Sequence, residues 1–276
     1  MVTDKEFPDR KEKNILFRVL RFDPEKDSAP RTQEYKVPVV TGMTVLEALY
    51  YIKEHLDGSL AFRCSCRMGI CGSCGMFINN MPRLACHTQV FHLETGTVEI
   101  KPLPNYDIIR DLVPDLTPLF EKHNSIKPYI IKEDESLDKE PEEYLQSNEE
   151  LEEYLQFAYC LKCGLCMSAC PTVASDKEFL GPQPLGQAYR YLADNRDCSK
   201  DRKLLVDNAH GVWRCHMAGA CSEACPKGVD PAMGAQLLKK KIIFGGRKKT
   251  AKPAGTQINP ERKPNISNAP ERTINK

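Results

Sequence analysis

Thirteen cysteines in 276 residues, most of them in tightly spaced groups, restrict this chain more than any other feature. An odd count does not pair off into disulfides, and in a reducing compartment such cysteines point to metal or catalysis. Met1–Lys13 (MVTDKEFPDRKEK) lacks an apolar core, so no secretory signal is expected, and its acidic residues argue against a mitochondrial presequence. A formal net charge of +1 gives no general reason to expect nucleic acid or anionic lipid as a partner. No apolar run approaches the length of a bilayer span, so any membrane contact is expected to be peripheral or borrowed from a partner.

Cys66, Cys71, Cys74 and Cys86 have the spacing C-x4-C-x2-C…C of a plant-type [2Fe–2S] site. Thiolates converging on a small sulfide-bridged core need a tightly wrapped backbone. Gly69, Gly72 and Gly75 supply turns that a Cβ would obstruct and let amide N–H groups approach the sulfurs. A structural zinc site also uses cysteines, but zinc ribbons present separated C-x2-C knuckles rather than ligands crowded into one glycine-rich loop. Cys64 is surplus, and is expected to be a packed or idle thiol rather than a ligand.

Cys160, Cys163, Cys166 and Cys170-Pro171 form C-x2-C-x2-C-x3-C-P, the bacterial ferredoxin run, in which the last cysteine ligates the other cluster. A second run is therefore expected, and Cys215, Cys221 and Cys225-Pro226 supply it, with Ala218 where its second cysteine would stand. Crossover assigns Cys160, Cys163, Cys166 and Cys225 to a [4Fe–4S] cluster, and Cys170, Cys215 and Cys221 to a site with one ligand missing. That site is expected to hold [3Fe–4S]; a [4Fe–4S] cluster whose last iron takes water or another side chain is the alternative. Cys198, in a polar turn, is expected to be an ordinary thiol. Redox centres without a phosphate-cradling fingerprint describe an electron wire.

The remaining pattern gives an α+β chain. Ile15–Asp23, Gln33–Val40, Met76–Asn79 and Thr97–Ile100 read as strands. Thr44 and Glu47 form a capping box for a helix with Val45, Leu49, Ile52 and Leu56 on one face and Gly58 at its end. Helices are expected at Pro184–Asn195, Asp201–Asn208 and Asp230–Phe244, the last with Asp230 as N-cap, Pro231 in the first turn, Lys239–Lys241 near its end and Gly245 beyond it. The expected organisation is a polar arm (1–13), a [2Fe–2S] domain (14–118), a connector (119–150, acidic from Glu133), a helical two-cluster domain (151–245) and a disordered basic tail (246–276).

The loops CSCRMGICGSC (Cys64–Cys74), CLKCGLCMSACP (Cys160–Pro171) and RCHMAGACSEACPKG (Arg214–Gly228), with NNMPRLAC (Asn79–Cys86) and IKPY (Ile126–Tyr129), closely resemble the iron–sulfur subunit of succinate dehydrogenase and fumarate reductase. The resemblance runs from about Asn14 to Gly245. It implies an N-terminal β-grasp plant-type ferredoxin domain followed by an all-α bacterial-ferredoxin-like domain. It also implies an FAD-containing catalytic subunit and membrane anchor subunits as partners, on the cytoplasmic face of the cell membrane. Electrons would pass from [2Fe–2S] through [4Fe–4S] to [3Fe–4S] and on to quinone, or the reverse. Family positions near the quinone match Pro171, His216 and Lys239. Many ubiquinone-linked members carry tryptophan shortly after the Cys-Pro, where this chain has Thr172-Val173-Ala174-Ser175. Other ends for the same wire, or a zinc-stabilised interaction protein, are the competing readings, and metal analysis separates the latter.

Overall fold

A computed structural model describes residues 12–132, 144–199 and 201–245. The expected tail, the start of the polar arm and residues 133–143 of the acidic connector lie outside the described residues.

The first half is built on a mixed sheet. Strands β1 (Glu12–Arg21), β2 (Arg31–Val40), β3 (Gly75–Ile78), β4 (Met81–Leu84) and β5 (Thr97–Lys101) lie in the order β2-β1-β5-β3-β4. Only β1 and β5 run parallel; the other neighbours are antiparallel. Alternation explains the core: Ile15, Phe17 and Val19 on β1 and Tyr35, Val37 and Val39 on β2 point to one buried face. Helix α1 (Val45–Tyr51) covers that face, opened by the expected capping box, in which Thr44 N donates to Glu47 and Glu47 N donates to Thr44 Oγ1. β4 was not expected. Asn79 and Asn80 both adopt left-handed conformations, the turn that suits a tight hairpin between β3 and β4.

The same alternation forces Arg21 into the core. It is satisfied by Asp111, Asp57, Tyr35, Gln33 and Ser59, which tie β1, β2, the turn after α1 and the loop after β6 (Ile108–Arg110) into one polar cluster. A short β7 (Val113–Pro114) pairs with β6.

The second half is helical: α2 (Thr117–Ser125), α3 (Asn148–Ala158), α4 (Leu165–Ala169), α5 (Pro171–Ser175), α6 (Pro182–Ala193), α7 (Ala220–Glu223) and α8 (Pro231–Phe244). As expected, Asp230 caps α8, its side chain accepting from Met233 N. Helices α6 and α8 cross at Gly186 and Gly234, where a Cβ on Gly234 would fall 2.8 Å from the Phe157 ring of α3.

Several expectations need correction. β1 begins at Glu12, inside the supposed arm, and α2 spans the boundary expected at 118. Leu56 is 47% exposed because α1 widens into a π-turn (Ile52–Leu56), Asp57 N donating to Ile52 O, which rotates that residue off the apolar face. Asp201–Asn208 forms successive turns, not a helix. There Arg202, 1% exposed, is drawn inward to Asp197 and to the carbonyls of Ile126, Lys127 and Tyr129, a non-local pairing that overrides helix propensity. α6 starts two residues early because Pro182 occupies its first turn.

Candidate metal centres

The loop from Cys66 to Cys74 returns to the sheet at β3, and Cys86 sits in the turn just after β4. Backbone amides converge on all these sulfurs. Ile70 N and Cys71 N each lie 3.3 Å from Cys66 Sγ, and Gly69 N lies 3.3 Å from Cys86 Sγ. Cys86 N lies 3.4 Å from Cys74 Sγ and Cys66 N 3.5 Å from Cys71 Sγ. An uncharged loop gains little from aiming donors at thiols; the arrangement suits sulfurs that carry negative charge. Hydrogen bonds from Ser73 and the Cys66 amide pull the Cys71 thiol down to about 6, whereas burial pushes Cys74 up to about 12. Cys64 stands apart, its Sγ 2.6 Å from Tyr50 Oη, with Arg67 over the Tyr50 ring.

In the helical half the cysteines surround two hollows. One, with about 440 Å³ of atom-free space partly open to solvent, is lined by Cys160, Cys163, Cys166 and Cys225. The other, about 370 Å³, is lined by Cys170, Cys215 and Cys221, with Ala218 on the same wall. The two runs share a backbone course. Lys162 and Met217 have φ of 55° and 60°, and Gly164 and Gly219 have φ of 84° and 79°. α4 and α7 then start directly after these glycines. In that common register Ala218 corresponds to Cys163. Burial pushes the Cys163 and Cys221 thiols up to about 11, so ligation has to displace their protons.

A mononuclear zinc site holds its sulfurs about 2.3 Å from one ion. Among the described residues no three Cys, His, Asp or Glu side chains converge closely enough to hold an ion. Thiols arranged around a hollow rather than converging on one point fit polynuclear clusters instead.

The halves meet at the sites. A Cβ on Gly72, whose φ is +76°, would fall 2.6 Å from Cys163 Cβ, so the first cysteine loop lies directly on a cysteine of the second group. Asn105 Nδ2 donates to the carbonyls of Met167 and Ser168 at 3.0 Å, and the Tyr106 hydroxyl donates to Gly164 O at 3.3 Å. Burial raises the Tyr106 hydroxyl far above its ordinary value, which keeps it a donor. Pro171 and His216, both exposed, line the second hollow; Lys239 does not, and donates to Cys215 O at 3.0 Å while standing 6.0 Å from the Trp213 ring. Cys198 is half-buried at a turn, its amide bonded to Ile131 O. Asn105, Tyr106, His123 and Gln183 were not foreseen; only their folded neighbours reveal them.

Sulfurs wrapped in donors and stacked across a sheet–helix junction define an iron–sulfur electron-transfer protein. Residues 16–121 match the family described as "2Fe-2S iron-sulfur cluster binding domain", and residues 156–229 match the "4Fe-4S dicluster domain". The fumarate reductase iron–sulfur subunit of Mycobacterium tuberculosis is 46% identical over 83% of this chain and 96% of its own length. The mitochondrial succinate dehydrogenase [ubiquinone] iron–sulfur subunit of Candida glabrata is 40% identical over 83% of this chain and 91% of its own. A chain of the Mycobacterium smegmatis Sdh1 complex in the apo form superposes with a TM-score of 0.75 at 28% identity, covering 84% of this chain and 96% of that one. This chain belongs to the family of iron–sulfur subunits of fumarate reductases and succinate dehydrogenases, with an N-terminal sheet and a helical C-terminal half. It is an electron-transfer subunit of an oxidoreductase. Among the described residues no helix is long and apolar enough to cross a membrane.

Proposed function

We propose that the chain carries single electrons between an FAD-containing catalytic subunit and membrane quinone, in a succinate:quinone oxidoreductase held by anchor subunits at the cytoplasmic face of the membrane. In this reading the sheet half, from β1 to the start of α2, is a β-grasp ferredoxin domain, and the helical half from α2 onward, with the linking stretch between α2 and α3, is bacterial-ferredoxin-like. Cys66, Cys71, Cys74 and Cys86 hold [2Fe–2S]; Cys160, Cys163, Cys166 and Cys225 hold [4Fe–4S]; Cys170, Cys215 and Cys221 hold [3Fe–4S].

One observation carries the reading: each hollow of the helical half is lined by cysteines from both runs, in the combination that crossover ligation requires. When bound, the clusters supply reversible one-electron chemistry; the protein supplies their setting. Amide donors on the sulfurs offset negative charge, burial excludes water, and Gly72 lets the first loop touch Cys163 with no side chain between. Pro171, His216 and Lys239 are assigned to quinone; His216, exposed beside Cys215, is suited to hold or donate a proton.

The test is purification of the intact complex, with assay of iron, acid-labile sulfide and flavin. Co-purifying flavoprotein and anchor chains, and a paramagnetic three-iron signal in the oxidised state, are expected. Zinc with little iron and no labile sulfide would overturn the reading.

A further inference from the structure

Gln183 and His123 belong to no cysteine group, yet Gln183 lines the hollow of Cys160, Cys163, Cys166 and Cys225, and His123 touches Gln183. Gln183, in the first turn of α6, is 3% exposed and lines that hollow. Its Nε2 lies 3.2 Å from His123 Nδ1 and 3.9 Å from Cys160 Sγ. A carboxamide nitrogen has two N–H donors, so it serves both neighbours at once. Gln183 Oε1 is buried without a partner. His123, on α2, is also buried; burial and then repulsion from Lys162 push it down to about 4, which favours a neutral ring, and the tautomer with its proton on Nε2 leaves Nδ1 to accept from Gln183. The reversed amide would set its oxygen against the cysteine sulfur and a lone pair against Nδ1. The orphaned Oε1 is what the observed orientation leaves behind.

We propose that His123 orients the Gln183 amide so that it donates to Cys160 and raises the reduction potential of the centre that this cysteine ligates. This rests on the assignment of Cys160 to [4Fe–4S] made above. On reduction the cluster gains one electron, and part of that charge appears on its thiolate sulfurs. A donor aimed at one of them therefore favours the reduced state more than the oxidised one. His123 is the positioning residue and Gln183 the tuning residue.

The experiment is an electron paramagnetic resonance redox titration of the assembled complex, following each cluster separately. Gln183→Leu keeps the volume and removes the donor. It is expected to weaken one-electron uptake by the four-iron cluster about tenfold, since only part of a charge-assisted hydrogen bond differs between the two states. That is about 59 mV to the negative side for a one-electron couple, with the other two midpoints unmoved. His123→Phe, which keeps the amide but removes its acceptor, is expected to shift the same midpoint in the same direction by less. It decides the question by itself if Gln183→Leu loses iron. An unchanged four-iron midpoint in fully loaded protein, or all midpoints moving together, would overturn the proposal. A selective shift of the three-iron centre instead would show that the ligand assignment, rather than the tuning, is wrong, and would equally end the proposal as stated.

Discussion

Replacing Arg202 with methionine removes a fork that holds the connector to the helical half. The guanidinium donates to Asp197 at 2.8 and 3.0 Å, to the carbonyls of Ile126 and Lys127 at 3.0 and 2.8 Å, and to Tyr129 O at 2.9 Å. Both members of the ion pair are almost wholly buried, at 1% and 2% side-chain exposure. Methionine fills comparable space but leaves the Asp197 carboxylate with the Ile131 amide, 3.0 Å away, as its remaining tie to the connector. Breaking a buried pair from one side costs about 3–5 kcal/mol, because the remaining charge stays desolvated. Local opening of the connector should rise by roughly two to four orders of magnitude, at about 1.4 kcal/mol per tenfold. Amide hydrogen exchange resolved by mass spectrometry measures this on the loaded protein, in peptides covering Ile126–Ile131. Asp197→Asn added to Arg202→Met should recover part of the protection, since it removes the stranded charge. Exchange that accelerates less than tenfold in Arg202→Met, with iron content intact, would refute the argument that this pair pins the connector.

Ala218→Cys should supply a thiolate on the wall of the second hollow and convert its centre to [4Fe–4S]; the oxidised three-iron paramagnetic signal should vanish while iron per chain rises. Cys64→Ser should leave [2Fe–2S] content and visible absorption unchanged, because the Cys64 thiol is engaged by Tyr50 outside the ligand set. Burial pushes the Asp57 carboxyl up, but hydrogen bonds from Ser59, Tyr35 and Arg21 outweigh it and hold the group well below the usual carboxylate range. A depressed carboxylate contributes stability that is complete above its unfolded value of about 4 and is lost as pH falls through the folded one. Asp57→Asn should therefore lower stability at neutral pH and flatten the decline below about pH 4, read from thermal midpoints across pH.

The iron–sulfur character was legible because it writes itself in fixed offsets: a cysteine spaced wrongly cannot reach the same cluster, and Ala218 stands out against the first run for that reason. Local helix signals were legible too, since Thr44 with Glu47 and Asp230 with Pro231 act within one turn. Arg202 misled because the carbonyls that draw it inward belong to Ile126–Tyr129, far away in the chain, and no window of neighbouring residues contains them. Leu56 misled because a single π-turn breaks the period on which its burial was inferred. The β3–β4 hairpin is signalled only by Asn79-Asn80, two residues that tolerate left-handed backbone, because β4 itself is short and exposed at alternate positions. Gln183 reads as an ordinary helix-start residue until folding sets it between His123 and Cys160.

Leu165 opens α4, in the helical half, yet it is fully buried in the apolar core of the sheet half, with Leu161 and Cys163 packed against the same core. Excising the sheet half at the connector would therefore uncover a socket shaped for a side chain that the fragment no longer contains. The helical half, cut the same way, would present that leucine to water beside the mouth of a metal hollow. Cluster-binding units are attractive parts for grafting, but here neither half is a self-contained cassette. A transplant that respects the packing has to carry Leu161–Leu165 along with the sheet, and with them the start of the next cluster.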